Sequence, residues 1–78
     1  MNKQLFKAEM IKHGDTQTTL ADAMGIPQSA LSARINGKTD FRENEIKFIR
    51  KRYNLTPDLT ILIFFVDEVS DLDTTKGA

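Results

Sequence analysis

The sequence lacks cysteine altogether, and it also lacks any long apolar segment. Without cysteine there is neither a disulfide framework nor a thiolate metal site. The longest apolar run, Ile61–Val66, has six residues, whereas a membrane-spanning helix needs about 20. The polar, amphipathic start of the chain has no apolar region typical of a signal peptide. We therefore expect a soluble, cytoplasmic protein without a membrane partner.

The patterns that catalysis and metal binding usually require are also missing. The sequence has no glycine-rich phosphate loop, no nucleophile elbow and no acid pair in a recognisable setting. His13 stands alone, without further metal ligands at a suitable spacing. The acidic residues near the C-terminus lack the spacing and the glycine of a calcium loop. We predict that the protein is not an enzyme and takes no metal, cofactor or small-molecule substrate.

The formal net charge is zero, but the charges are unevenly distributed. Residues 1–53 contain ten Lys and Arg against six Asp and Glu, a balance of +4. Residues 54–78 contain one Lys against five acids, a balance of −4. The first part of the chain is therefore the part that could face a polyanion. Its basic excess is mild, which argues against strong, non-specific affinity for nucleic acid.

Apolar residues recur at helical spacing between turn signals, and this pattern predicts an all-α protein. In the first helix the apolar residues are Leu5, Phe6, Met10 and Ile11, and Asn2 precedes them as a cap. Five helices are predicted, over Lys3–His13, Gln17–Met24, about Pro27–Ile35, about Arg42–Tyr53, and a short stretch after Thr56. The length suits one domain. We assign residues 1–70 to this domain and residues 71–78 to a disordered tail.

The apolar run after Thr60 has two alternative uses, because periodicity does not decide its conformation. We favour its packing into the small core over the first and fourth helices. In the alternative, an extended run would alternate its side chains between two faces, and one face would remain exposed as a contact site. Arg50, Lys51 and Arg52, at the end of the fourth helix, are interpreted as solvated cations that suit the helix dipole.

The segment Gln17–Ile35 has the pattern helix, glycine turn, helix. Ala21 is small enough for two steeply crossing helices to touch, and Gly25 permits the sharp turn between them. An apolar seam between the helices is predicted from Leu20, Met24, Ile26 and Leu31. Units of this kind place the second helix in the major groove of DNA, with its first residues at the base edges.

The second helix of this unit is rich in small polar residues where a solvated helix would carry charges. Gln28, Ser29 and Ser32 can form hydrogen bonds with bases, and glutamine pairs with adenine through two such bonds. Ala30 and Ala33 are short enough to allow close approach, and a methyl group can contact thymine. The composition of this helix therefore favours a surface that recognises DNA bases.

The run TQTTLADAMGIPQSALSARINGK, from Thr16 to Lys38, resembles the XRE type of helix-turn-helix found in phage Cro and CI repressors. The later motifs FRENEI and IFF are similar to those of small Cro-like and modulator-of-repression proteins of temperate phages of Gram-positive bacteria. This resemblance covers about residues 5–70. It implies a five-helix, lambda-repressor-like DNA-binding domain acting in a bacterial host cell.

The resemblance also implies roles for individual residues. Gln17, at the start of the second helix, would hold a phosphate. The residues expected to face bases are Gln28, Ser29, Ser32 and Ala33. Those expected to hold the DNA backbone are Asn36, Lys38, Thr39 and Arg42.

The sequence departs from the family pattern at three positions. Pro27 replaces the usual Ser or Thr cap, so the third helix should begin without a side-chain cap. Arg34 stands where a buried aliphatic residue is common, and Ile35 is expected to take the apolar role. Arg42 replaces a threonine cap before Glu45, which we expect to remove the capping box.

Two functions from different classes follow. In the first, a homodimer binds double-stranded operator DNA and represses a phage promoter. In the second, an antirepressor forms a hetero-complex with a CI-type repressor and blocks its DNA-binding face; the neutral net charge favours this alternative. The residues assigned to such a protein partner are Gln28, Ser32, Arg34, Phe64 and Phe65.

Overall fold

The computed structural model describes residues 1–66, and within them the chain forms five α-helices and no strand. The helices are α1 Lys3–Lys12, α2 Gln17–Met24, α3 Gln28–Ile35, α4 Glu43–Arg52 and α5 Pro57–Phe64. The all-α prediction is confirmed: α2 has the predicted ends, and the predicted ends of α1, α3 and α4 agree to within one residue. The tail predicted for residues 71–78 lies outside the described residues.

Each helix contributes one large side chain that is fully buried. These are Phe6, Leu20, Leu31, Ile49 and Ile63, from α1 to α5 in order. Burying an aliphatic or phenyl side chain of this size stabilises a fold by about 1.5–3 kcal/mol. Met10 and Ile35 add further buried side chains from α1 and α3, so the small core is built from all five helices together.

Three phenylalanine rings hold α1, α5 and the loop before α4 together. The ring of Phe6 lies 5.6 Å from that of Phe41 and 6.0 Å from that of Phe64, and Phe41 and Phe64 are 5.3 Å apart. The tilted and edge-on geometry is the one aromatic pairs favour. At the same junction the amide of Asn2 donates a hydrogen bond to the Ile63 carbonyl at 2.6 Å.

The apolar run after Thr60 continues α5 to Phe64 and is helical rather than extended. Ile63 is buried in the core and Phe64 packs against it, so the predicted core role is confirmed for these residues. Ile61, Leu62 and Phe65 remain exposed, with 66% of the Phe65 surface accessible. The run therefore closes the core with one side of a helix and leaves an apolar surface on the other.

One residue of the predicted apolar face of α1 was assigned wrongly. Phe6 and Met10 are buried, but Ile11 is 77% exposed. Successive residues of a helix are rotated by about 100°, so Ile11 lies well around the helix from Met10. The neighbouring helices cover a narrower arc of α1 than the sequence pattern suggested.

Local capping fixes the starts of several helices, including the one at Asn2 that the sequence predicts. Asn2 accepts a hydrogen bond from the amide of Leu5 at 3.0 Å, and Thr56 does the same for Leu59 at 3.1 Å. Thr16 and Thr19 cap each other reciprocally at the start of α2, at 3.2 and 2.9 Å. These contacts satisfy amides that have no partner within the helix.

A buried polar cluster joins the turn after α1 to the end of α4. The Asp15 carboxylate accepts two hydrogen bonds from Arg52, at 2.8 and 2.9 Å, and one from the Tyr53 hydroxyl at 2.6 Å. Thr19 Oγ1 donates a further bond at 2.8 Å. Arg52 is exposed, as the prediction of a solvated helix end requires, but it also has a structural role in this cluster that the sequence analysis missed.

The electrostatics of this cluster follow from its hydrogen bonds. The Arg52 guanidinium, together with the Tyr53 and Thr19 hydroxyls, holds the pKa of Asp15 far below its usual value, although burial opposes this shift. Burial and the neighbouring carboxylate raise the pKa of Tyr53 well above that of a free phenol. Asp15 is thus ionised and Tyr53 protonated at every physiological pH.

Within residues 1–66, no helix is long and apolar enough to cross a membrane. The same residues contain no group of three or more His, Cys, Asp or Glu side chains that could hold a metal ion.

Candidate functional site

The turn between α2 and α3 brings the two helices into close contact. Gly25 adopts the left-handed conformation that side chains disfavour, with φ +73°, and ends α2 there. Ala21, on the inner face of α2, is almost completely buried. Met24 and Ile26 pack against the core beside Leu20 and Leu31, as the predicted seam requires. This packing presents the opposite face of α3 to solvent.

The polar residues of α3 lie on that solvent-facing side. Gln28 and Ser29 are exposed, while Ser32 and Ala33 are partly exposed. None of the four is sealed in the core. Pro27 supplies no side-chain hydrogen bond at the start of the helix, as expected. These side chains therefore have the exposure that base recognition would require.

Gln28 has a partner that the sequence did not reveal. Thr18, on α2, donates a hydrogen bond from its hydroxyl to Gln28 Oε1 at 3.1 Å. The two residues are ten positions apart and meet only because the helices cross. No local pattern could have identified Thr18, since exposed threonines near helix starts are common.

Ser32 is connected to the first helix of the chain. Asn36 Nδ2 donates to Ser32 Oγ at 3.3 Å, and Lys3 Nζ donates to Asn36 Oδ1 at 3.4 Å. Lys3 thus adds a positive charge beside the end of α3, and the sequence analysis missed it. Its separation of 33 residues from Asn36 explains why only the fold reveals this neighbourhood.

The loop after α3 carries the residues assigned to the DNA backbone. Lys38, Thr39 and Arg42 are exposed, as is Asn36. The amides of Lys38 and Thr39 both donate to the Ala33 carbonyl, at 2.9 and 3.4 Å, which fixes the start of the loop on α3. Gln17, by contrast, is partly buried in the first turn of α2.

An ion pair that is largely shielded from water joins α3 to α4. Arg34 Nε donates to Glu45 Oε1 at 2.8 Å, and the two side chains are only 11% and 10% exposed. Arg34 Nη1 also donates to the Ala30 carbonyl at 3.1 Å. Ile35 is buried. It therefore takes the apolar role that an aliphatic residue commonly has at position 34, as expected.

The start of α4 keeps half of a capping box, which the sequence analysis expected to be lost. The backbone amide of Arg42 donates to Glu45 Oε1 at 2.8 Å. The Arg42 side chain has no acceptor, so it cannot return a bond to the helix, and no side-chain cap is present. One Glu45 oxygen therefore serves both Arg34 and the first turn of α4.

Of the five residues assigned to a protein partner, two are fully available. Gln28 and Phe65 are exposed, and Ser32 is partly exposed. Arg34 is occupied by Glu45, and Phe64 packs between Phe6 and Phe41. A protein partner would therefore reach Arg34 and Phe64 only at their edges.

These elements define a helix-turn-helix domain with an exposed polar second helix. The helix-turn-helix family model matches residues 6–59, which is more than half of the chain. The chain belongs to the XRE-type helix-turn-helix family and is a DNA-binding transcription regulator. This family is one of regulator domains, not of enzymes. No curated protein and no solved structure matches the chain.

Proposed function

We propose that this protein is a phage-type regulator of the switch between lysis and lysogeny that binds operator DNA in the cytoplasm of a bacterial host. In this proposal α3 enters the major groove, with Gln28, Ser29, Ser32 and Ala33 at the bases. Gln17, Asn36, Lys38, Thr39 and Arg42 contact the DNA backbone. The supporting observation is that α3 turns uncharged hydrogen-bonding side chains outward while its apolar side is buried.

The mode of binding follows from the geometry of DNA. A homodimer would place two copies of α3 about one helical turn apart, on the two halves of a palindromic operator. Phosphate contacts would position the protein, and the base contacts would supply the sequence preference. A gel-shift titration on the promoter region, with and without the cognate repressor, is the direct test.

Replacing Gln28 or Lys38 by alanine should weaken binding in two different ways. Gln28→Ala should lose about 1–3 kcal/mol of preference for the operator over unrelated DNA, since a base contact is removed. Lys38→Ala should weaken binding to all sequences and reduce the slope of log K against log salt by about 1. Both effects are measurable by titrating operator and unrelated duplexes at several salt concentrations.

The matched control for Lys38→Ala is Lys51→Ala, which removes the same charge from an exposed position on α4 outside the proposed interface. It should leave the salt slope nearly unchanged. Equal operator binding by wild type, Gln28→Ala and Lys38→Ala would contradict the assigned interface.

A second candidate function is the antirepressor, in which the protein pairs with a CI-type repressor. Two observations favour it: the zero net charge and the exposed apolar side of α5. Beside Phe64 and Phe65 lies an open groove of about 570 Å³, which Arg34, Asp40 and Phe41 also line. A groove lined by both aromatic and polar side chains suits a protein better than a phosphate backbone.

The antirepressor function predicts a stable complex in size-exclusion chromatography of the two proteins at micromolar concentration. Phe65→Ser should weaken that complex at least tenfold if the exposed ring is a central contact, because buried aromatic anchors contribute about 2 kcal/mol or more. Ile11→Ser, at another exposed apolar position, is the control. Elution of the two wild-type proteins as separate peaks would exclude this function.

A further inference from the structure

The first residue of α1 lies beside the end of α3, although Lys3 and Asn36 are 33 positions apart in the sequence. Lys3 Nζ donates a hydrogen bond to Asn36 Oδ1 at 3.4 Å, and Asn36 Nδ2 donates to Ser32 Oγ at 3.3 Å. The ammonium group of Lys3 is therefore close to two residues that the proposed function places at DNA, Ser32 at a base and Asn36 at the backbone. Lys3 itself has no role in that proposal.

The start of α1 is fixed to the folded domain, so Lys3 does not belong to a loose N-terminal arm. The Asn2 side chain accepts a hydrogen bond from the Leu5 amide at 3.0 Å, and the Asn2 amide donates to the Ile63 carbonyl at 2.6 Å. Phe6, one turn after Lys3, is completely buried in the core. The backbone of Lys3 is thus held next to α3, and only its partly exposed side chain has to adjust to a ligand.

Lys3 and the loop after α3 together carry more positive than negative charge. The loop supplies Lys38 and Arg42, both exposed, against one acid, Asp40. Lys3 adds a third cation from a different helix. A DNA strand carries one negative charge per nucleotide, so cations that are spaced along a surface can each neutralise a separate phosphate.

We infer that Lys3 is a further DNA-binding residue, which contacts a backbone phosphate beside the one that Asn36 holds. This inference rests on the operator-binding function proposed above. The contact carries no sequence information, because every nucleotide presents the same phosphate group. It adds α1 to an interface that otherwise consists of α2, α3 and the loop after α3.

A purely structural role for the same lysine would have a different result. Asn36 lies at the C-terminal end of α3, and a cation near that end of a helix interacts favourably with the helix dipole. In that role the replacement of Lys3 would change the stability of the fold but not the salt dependence of DNA binding. Measuring both quantities on the same variants separates the two roles.

The test uses the full chain and an operator duplex that wild type selects from a library of randomised DNA. Affinities for this duplex and for an unrelated one are measured at several salt concentrations, and unfolding midpoints are measured in urea. Lys3→Ala should reduce the slope of log K against log salt by about 1 and weaken binding to both duplexes by the same factor, about tenfold at about 0.1 M salt. Lys3→Arg keeps the charge and should keep the slope.

Two further variants sharpen the comparison. Lys3→Gln retains a hydrogen-bond donor for Asn36 but no charge, so it should bind DNA as weakly as Lys3→Ala. Combining Lys3→Ala with Lys38→Ala should reduce the slope by about 2, since the two lysines contact different phosphates. The matched control is Lys51→Ala, which removes the same charge from an exposed position on α4 and should leave the slope nearly unchanged.

An unchanged slope in Lys3→Ala would overturn the inference, as would wild-type affinity in Lys3→Gln or an equal loss in Lys51→Ala. In each of these outcomes wild type still selects an operator, so the proposed function stands while the role of Lys3 is rejected. If wild type enriches no sequence from the library, the operator-binding function fails and the inference fails with it.

Discussion

Replacing Glu45 by alanine is expected to destabilise the domain by about 3 kcal/mol, because it leaves the guanidinium of Arg34 without its partner. Both side chains are largely shielded from water, at 11% and 10% exposure. The same change removes the acceptor for the Arg42 amide at the start of α4. A domain of this size is stable by about 4–12 kcal/mol in total, so the loss should be evident in a urea unfolding curve.

The control is Glu43→Ala, two positions earlier on the same helix. Glu43 pairs with Lys47 at 3.4 Å, but both side chains are highly exposed, and such pairs contribute about 0–1 kcal/mol. A double variant, Arg34→Met with Glu45→Leu, should recover much of the stability, because a buried pair replaced by apolar residues is often neutral. Similar losses for Glu43→Ala and Glu45→Ala would contradict the structural role of this pair.

Asp15→Asn should cost about 2–3 kcal/mol in unfolding free energy, towards the low end for a broken buried pair, since about a third of the Arg52 side chain remains exposed. The change removes the charge that accepts from Arg52, Tyr53 and Thr19. Asp22→Asn is the matched control, because Asp22 is exposed on α2. Equal unfolding midpoints for the two variants would show that the cluster does not stabilise the fold.

The same cluster predicts how stability depends on pH. The pKa of Asp15 is far lower in the folded protein than the value of about 3.9 expected for an unfolded chain. Its contribution is therefore complete above about pH 4 and decreases as the pH falls towards the folded-state pKa. The stability gap between wild type and Asp15→Asn should narrow from pH 7 to pH 2.5 in urea titrations. A constant gap over this range would contradict the assignment.

Local features of the fold were predictable because their causes lie within a few residues. Asn2, Thr16 and Thr56 cap helices through bonds to amides three positions ahead. Gly25 adopts positive φ at the end of α2, where the sequence predicts a sharp turn. The helix-turn-helix motif itself followed from such signals, together with the apolar seam.

Other features depended on pairs that are distant in sequence. Asp15 and Arg52 are 37 residues apart, and nothing in the local sequence distinguishes Arg52 from the neighbouring cations Arg50 and Lys51. Ile11 fitted the helical period and still lies in solvent, because periodicity does not reveal how much of a helix its neighbours cover. The positions of Thr18 and Lys3 beside α3 were likewise not predictable, because sequence patterns do not reveal which distant side chains meet in the fold.

For the candidate site, composition predicted which side chains would face solvent but not which contacts would fix their positions. The exposed positions of Gln28 and Ser29 agree with the expectation from α3. The contacts of Gln28 with Thr18 of α2, and of Asn36 with Lys3 of α1, join segments that are distant in sequence. Arg34 was assigned to a partner surface, whereas its contacts are mainly with Glu45.

The bond between Asn2 and Ile63, with the ring contact between Phe6 and Phe64, has a consequence for how the protein is made. During synthesis α1 leaves the ribosome first, and its central phenylalanine must wait for α5 before its apolar contacts are complete. Contacts of such long sequence separation form late because the intervening chain must first be closed. Nascent chains that stop before residue 64 would therefore lack the Phe64 ring that covers Phe6.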